Sequence, residues 1–490
     1  MQTKLHQNVT AFLARPLPHY IGGREVAPGP TGEVINPSDG SVLAHVSLGG
    51  AKEMDLAVAA AAQAFPAWAA LRPNERAVAL HRLADALERH ATELAQLESL
   101  DVGKPITAAT GFDVPFGIQA LRYFADLAVQ AHYRVPLAIP NIEAFTCRMP
   151  YGVCGFIFPW NFPFTLLCWG IAPALAAGNT VVVKPSEVTP LTSLFVAQLA
   201  AEAGLPSGVI NVVTGTGAQA GAALAAHPRI KRMSFTGSPA VGRQVGAACG
   251  QNLVPCKLEL GGKGAAVVFD DVNVADTARK LAGAITLNTG QVCCTATRWM
   301  IHERIYDAFV DAVRAALRQT HIGPGLDTDS QMGPLVSEVQ RRRVLGYLDR
   351  GRSEGAAVLL EGGPCHLPDH RGFYVTPALL AGTEDNVCCR EEIFGPCAYL
   401  VKFTDEDKVV RQVNQLAYGL ANSVWSADLD RANRVAERMV AGNSWINAHN
   451  VFAYGLPYGG VNLSGLGGGV NSPETFNDYL RSQTIARPLT

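Results

Sequence analysis

The spacing of apolar positions changes several times along the chain, and each change predicts a different element. Residues 19–48 read as short strands and turns, with turn chemistry at Ala27-Pro-Gly-Pro-Thr-Gly. From Ala51 to Glu98 apolar residues recur at helical spacing, and Pro73-Asn-Glu-Arg interrupts them, which predicts two helices. A further long helix is predicted over 112–129. Residues 132–149 alternate in polarity and contain Pro136 and Pro140, a pattern that suits an extended arm or edge hairpin. Strands and helices then alternate. Strands are predicted at 153–158, 180–183, 209–213, 231–235 and 257–259, with helices near 191–203 and 241–246. A second alternating series runs from 265 to about 460, beginning with strand 265–269, helix 274–287, strand 298–302 and helix 305–318. Such alternation marks α/β sheets. The chain divides into two α/β domains meeting near Gly261-Gly262, a candidate hinge, with no internal repeat or low-complexity tract.

The tract 151–183 carries no formal charge and is long enough to span a bilayer. Pro159, Pro163 and Pro173 break it, and Asn161, Gly170 and Gly178 interrupt its apolar surface, so it is expected inside the protein. The 490 residues are 48% hydrophobic and 17% charged, below the roughly 25% charge of an average soluble domain. A net charge of −2 without a long basic run argues against nucleic acid as a partner. Eleven cysteines, including the adjacent pairs 293–294 and 388–389, do not form a disulfide framework, and no spacing suits a zinc site. Met1 to Arg15 lacks the apolar core of a signal peptide. Reduced thiols, a cytoplasmic location and no bound metal are the expectations.

The stretch with most chemical promise is Asn288-Thr-Gly-Gln-Val-Cys-Cys294. Gly290 allows a tight turn that brings Cys293 close to a ligand, and a thiolate adds readily to a carbonyl carbon. The same pattern also suits a buried structural cysteine. Glu259 ends an apolar strand between Leu258 and Leu260, where burial would raise its pKa toward that of a general base; an ion-paired glutamate is the alternative. Asn161, in Pro159-Trp-Asn-Phe-Pro163, either satisfies local backbone or donates to an oxyanion. Thr236-Gly237-Ser238 places a hydroxyl and backbone N–H groups at a helix start suited to a pyrophosphate, though a plain N-cap fits equally. The glycine-rich turn 215–221 is a weaker candidate. Lys184-Pro-Ser-Glu187 lies past a strand, where α/β sheets bind ligands. A carboxylate there accepts from a ribose diol and repels a 2′-phosphate, favouring NAD over NADP.

These motifs occur together and in order with Phe235-Thr-Gly-Ser, Leu258-Glu-Leu-Gly-Gly-Lys, Glu391-Glu-Ile-Phe-Gly-Pro and Pro457-Tyr-Gly-Gly. From about Tyr20 to Thr484 the chain resembles the aldehyde dehydrogenase superfamily. The resemblance implies a Rossmann-like cofactor domain (1–127 and 150–259), a catalytic domain (260–461), and an oligomerisation arm and tail (128–149 and 462–490) that build a homodimer or homotetramer. It implies Cys293 as nucleophile, Glu259 as base, and Asn161 with the Cys293 N–H as oxyanion donors. NAD, with NADP the alternative, would lie against Phe158, Trp160, Lys184, Ser186, Glu187, Gly217, Phe235, Thr236, Gly237, Ser238, Leu260, Glu392 and Phe394. Acyl transfer to coenzyme A is disfavoured by the presence of Glu259. A fold-only relative without the reaction is disfavoured by the intact Cys293, Glu259 and Asn161.

The aldehyde tunnel implied by the resemblance is lined by Phe162, Trp169, Leu287, Phe452 and Tyr458, with Asp113 near its mouth. Trp169 resembles a tryptophan of betaine aldehyde dehydrogenases, which hold quaternary ammonium by cation–π attraction. Leu287 and Tyr458 stand where those enzymes have further tryptophans, so an apolar or aromatic aldehyde is expected ahead of a cationic one. The chain departs from the family pattern at Asn462 and at Gly468-Gly469.

Overall fold

Short, mostly apolar runs form the strands of two sheets in the computed structural model, which describes residues 3–26, 29–368 and 370–489. The first sheet has eight strands. Five are parallel, in the order Cys256–Glu259, Arg232–Thr236, Val153–Ile157, Thr180–Lys184 and Ile210–Val212. Antiparallel strands extend both ends: Gly465–Leu466 beside Cys256–Glu259, and His19–Ile21 with Arg24–Val26 beyond Ile210–Val212. The uncharged tract is interior. Val153–Ile157 and Thr180–Lys184 are wholly buried, as parallel strands covered on both faces must be, and helix Pro163–Ala176 packs into the same core.

The chain leaves this sheet at Glu259, passes through Gly261-Gly262, and enters the second sheet at Gly264–Val268. That sheet has seven strands, in the order Ala357–Leu360, Ala378–Ala381, Cys397–Phe403, Ala296–His302, Gly264–Val268, Ala421–Trp425 and Asn443–Ile446; only the first pairing is antiparallel. The alternating stretch 132–149 is a hairpin, Arg134–Ile139 with Ile142–Pro150, turning at Asn141 (φ 58°). Strand Leu480–Pro488 pairs along the whole of Ile142–Pro150 and completes a separate three-stranded sheet. The two α/β sheets and the arm are thus as expected in kind.

Several boundaries differ. The region 51–98 holds three helices, Ala51–Ala70, Pro73–Arg89 and Ala91–Val102, because the chain breaks at His90 as well as at Pro73; the last helix stops at Gly103, which is left-handed (φ 87°). Helix Val114–Gln130 is preceded by a π-turn, Ala109–Asp113. The helix expected at 241–246 runs from Pro239 to Gln251, since Ser238 caps it and proline suits its first position. Of the turn proposed at Ala27-Pro-Gly-Pro-Thr-Gly, Ala27 and Pro28 lie outside the described residues, as do Met1 and Gln2 of the N-terminal segment. Among the described residues no helix is long and apolar enough to cross a membrane.

Candidate active site

The carboxyl ends of the first sheet's parallel strands face the amino ends of two strands of the second, and a cavity of about 550 Å³ opens between them. Cys293 reaches it just ahead of strand Ala296–His302. Its loop is unusual: Asn288, Thr289 and Gly290 all have positive φ (47°, 57° and 71°). Gly290 is obligatory there, because a Cβ would overlap the Gly395 carbonyl. Thr289 is β-branched and strained in this conformation; its buried hydroxyl donates to Gly333 O at 2.9 Å.

Asn161 is laced to the same loop. Its Nδ2 donates to Gln291 O at 3.0 Å, and its own carbonyl accepts from Asn288 Nδ2 at 2.9 Å. One hydrogen of the Asn161 amide is therefore used in holding the loop, and the other is left for the cavity that Asn161 lines. The bond to Gln291 O bears out the local-backbone reading of this residue.

Glu259 lies at the end of its strand, with backbone bonds on both sides: Gly237 N donates to Glu259 O at 3.0 Å, and Gly465 pairs with it from the other edge. Its side chain is buried, and neither carboxylate oxygen has a hydrogen bond of good geometry, the backbone N–H of Gly460 giving only a weak one. Burial pushes its pKa well above the usual carboxylate range, partly opposed by the Lys257 charge two residues earlier on the same strand face. Lys257 itself donates to Gly469 O at 2.5 Å and pairs with Asp478 at 3.1 Å. The backbone crowds Glu259: a Cβ on Gly459 would lie 3.2 Å from its Oε1 and 2.7 Å from the Gly469 Cα.

The Cys293 thiol is part-buried and its Sγ lies 3.4 Å from the Tyr458 hydroxyl. Its pKa is lowered, first by hydrogen bonding with the Cys294 thiol and next by Tyr458, against burial and the Glu392 charge. Glu392 accepts from Gly262 N at 2.9 Å and is pushed up to about 7 by burial.

Of the residues expected at a cofactor, Phe158, Trp160, Thr236, Gly237, Ser238, Leu260, Glu392 and Phe394 line the cavity. The Trp160 and Phe394 rings meet edge to face at 5.2 Å, and Phe394 is held at φ 63°. Five others lie outside the lining. Lys184 is buried and bonded to Glu187 at 2.7 Å, whose other oxygen accepts from Gly217 N at 3.3 Å. Burial opposes ionisation of Glu187, but Lys184 outweighs it and holds Glu187 below its ordinary value. Ser186 accepts from Val188 N at 3.2 Å, and Phe235 lies in the core beneath Gly237.

Phe162, Trp169, Leu287, Phe452 and Tyr458 all line the opposite side of the cavity, together with Phe112, Leu166 and Val292. Asp113 is not at the mouth. It is buried and bonded to Lys104 at 2.7 Å, facing away from the cavity that its neighbour Phe112 lines. An uncompensated carboxylate would be costly there, and the lysine nine residues earlier draws it inward. Sequence reasoning also missed Asn450, which accepts from the Cys294 thiol at 3.4 Å, and His449, whose Nε2 lies 2.9 Å from both Cys294 O and Ala296 N. No local pattern marks either, since their partners are more than 150 residues away. Tyr454, which accepts from Trp169 Nε1 at 3.1 Å, was missed for the same reason.

The aldehyde dehydrogenase family model matches residues 26–485. The mitochondrial aldehyde dehydrogenase of Leishmania tarentolae is 42% identical, over 90% of this chain and 88% of that one. The NAD+ complex of an aldehyde dehydrogenase from Bacillus cereus superposes over 100% of both chains with a TM-score of 0.97 at 35% identity. An indole-3-acetaldehyde dehydrogenase, also solved with NAD+, covers 96% of each chain with a TM-score of 0.93 at 36% identity.

Proposed function

The chain belongs to the aldehyde dehydrogenase family and is an NAD(P)-dependent enzyme of that family; from that premise we propose that it oxidises apolar or aromatic aldehydes to their acids through a covalent adduct on Cys293. The observation that carries this reading is the convergence of three groups on one cavity: a thiol of lowered pKa, an amide with a free hydrogen, and a buried carboxylate without an ion-pair partner.

The residues fit a dinucleotide on one side of that cavity. Ser238 caps the 13-residue helix Pro239–Gln251, whose N-terminus suits a pyrophosphate, and Glu187 with Lys184 lies at the end of a strand two places along the sheet, suited to the adenosine ribose. A carboxylate at that position favours NAD over NADP. Glu392 and Phe394 would hold the nicotinamide end. When bound, NAD supplies the acceptor for hydride.

Cys293 thiolate adds to the carbonyl carbon, and the free Asn161 hydrogen with the Cys293 N–H meets the oxyanion. Loss of hydride leaves a thioester on Cys293. Glu259 takes a proton from water, the hydroxide displaces the thiolate, and the acid departs. Aldehyde, NAD and water thus give acid, NADH and a proton. Burial raises the Glu259 pKa above the ordinary carboxylate range and so makes its carboxylate a stronger base than an exposed one.

Beyond Cys293 the tunnel side carries no ionised side chain. Trp169, Phe452 and Tyr458 form a ring triad with centroids 5.4 to 6.1 Å apart. That triad is also what favours the second reading, a cationic amino- or trimethylammonio-aldehyde. The rings pack against one another, and the Trp169 N–H is committed to Tyr454, which supports an uncharged substrate. The indole-3-acetaldehyde dehydrogenase relative, whose name is that of an aldehyde with an aromatic ring, points the same way. A homodimer or homotetramer assembled through the arm sheet, with Ile139, Ile142 and Ile485 exposed on it, and a cytoplasmic location complete the proposal.

The test is kcat/KM with NAD for benzaldehyde, phenylacetaldehyde, hexanal, betaine aldehyde and 4-aminobutanal, with the product identified. Uncharged aldehydes should lead by about tenfold or more, one extra well-buried methylene or two, with free acid formed whether or not coenzyme A is present. A lead for the cationic members would replace this substrate reading with the second.

A further inference from the structure

The groups around the Cys293 sulfur pose a problem in electrostatics. A thiolate here is opposed by burial and by two carboxyl groups, Glu392 and Glu259, that share its cavity. A histidine is the usual partner of a reactive cysteine. His449 is nearby, but its ring faces the Cys294 carbonyl and the Ala296 N–H, and burial pushes its pKa down to about 4, so it is neutral. The Cys294 thiol, first among the neighbours that lower the Cys293 pKa, has a single hydrogen, and Asn450 Oδ1 at 3.4 Å competes for it.

Tyr458 remains. Its hydroxyl is 3.4 Å from Cys293 Sγ and sits among the rings of Trp169 and Phe452. Its position is fixed by backbone bonds in both directions with Val470, N to O at 3.0 Å and the reverse at 2.6 Å. Burial and the two sulfurs raise its own pKa well above the ordinary tyrosine value, so it keeps its proton.

We propose that the Tyr458 hydroxyl is the hydrogen-bond donor that holds Cys293 as a thiolate, making Tyr458 a catalytic residue and not only a wall of the tunnel. The proposal rests on Cys293 being the nucleophile. It gives the tyrosine two moments of action. In the free enzyme O–H···S⁻ favours the attacking form. When water displaces the thioester, the sulfur leaves as an anion and the same hydroxyl receives it; no proton changes hands with Tyr458 at either stage. In between, the sulfur is covalently bonded and neutral, a poor acceptor, so the interaction is strongest where charge sits on sulfur.

The experiment is the pH dependence of iodoacetamide alkylation, read at Cys293 by peptide mass spectrometry, with thiolate absorbance near 240 nm as the parallel readout. It compares the native chain with Tyr458→Phe and Cys294→Ala, and thermal melting verifies that each variant folds. Tyr458→Phe keeps the ring and removes only the hydroxyl. The alkylation midpoint should rise by about one pH unit, with alkylation near pH 7 about tenfold slower, the size of one charge-assisted hydrogen bond. Cys294→Ala should move it less. An unchanged or lower midpoint in Tyr458→Phe overturns the proposal, as does a larger shift in Cys294→Ala, which would make that thiol the donor. Glu259, Glu392, Cys294, His449 and Tyr458 itself titrate within the same cluster, so only the difference between variants is diagnostic. Native protein alkylated at Cys293 that still oxidises aldehyde would instead defeat the nucleophile assignment, and this proposal with it.

Discussion

Two buried acid sites flank the cavity, and they are built in opposite ways. Behind Phe162, Lys104 Nζ donates to Glu98 at 2.9 Å and to Asp113 at 2.7 Å, and lies 4.2 Å from the Phe162 ring centroid. The second Glu98 oxygen accepts from Phe164 N at 3.2 Å, so this cluster anchors the start of helix Pro163–Ala176 beside Asn161. At the other site Glu259 is also buried, though slightly less, and has no ion-pair partner on either oxygen. Burying a charge is costly, and the fold offsets that cost with a direct ion pair at the first site and only with the more distant Lys257 charge at the second. Paired burial supports the wall; at the second site burial raises the pKa of a carboxylate that no ion pair holds.

The largest effect that would sharpen this contrast is catalytic. Glu259→Gln should lower steady-state turnover by about 10²–10⁴-fold, the usual range for loss of a general base, while the first-turnover burst of NADH persists and the melting temperature does not fall. Loss of the burst would show that Glu259 acts before the thioester. Next in size is Lys104→Met, which strands two carboxyl groups. It should destabilise the fold by about 3–5 kcal/mol, measured by denaturant unfolding; native-like stability would erase the distinction between the two sites.

The smallest effect is a pH dependence. Burial, followed by the Asp113 charge and opposed by Lys104, raises Glu98 from 4.5 to about 7. A carboxyl raised in the folded state contributes stability that is complete below 4.5 and lost as pH climbs through about 7. Lys104 is raised by its two carboxylates against burial and does not titrate in that window. Melting of native protein and Glu98→Gln at about pH 5 and about pH 8 should therefore show the variant gaining on the native chain as pH rises. A constant difference would mean that Glu98 is ionised throughout.

Much of this was legible in the sequence wherever it depended on local pattern. Period-two alternation with two prolines marked the arm hairpin, β-branched runs marked the buried parallel strands, and glycine at 290 marked a turn that no Cβ can enter. The unread features depend on partners. Asp113 looked like a mouth residue because a carboxylate in sequence does not reveal that Lys104 will claim it. His90 ends a helix without proline or glycine, so no punctuation betrayed the break. His449, Asn450 and Tyr454 meet the site through folds of the chain that polarity patterns cannot encode. The left-handed conformations of Asn288 and Thr289 were likewise invisible, since strain is imposed by surroundings and not by residue type.

The strand at Gly465–Leu466 carries a last consequence, one of timing. Beside it Leu260 N donates to Ser464 O at 2.9 Å, and Ser464 Oγ donates to Gly261 O at 2.7 Å across 203 positions of chain. The edge that seats Glu259 is thus supplied by chain made long after Glu259 itself. During synthesis Asn161, the cofactor-facing strands and Cys293 all emerge first. Tyr458, fixed by its two backbone bonds to Val470, is seated later still. A growing chain therefore carries Cys293 and Glu259 well before it carries the segment that fixes the surroundings of either.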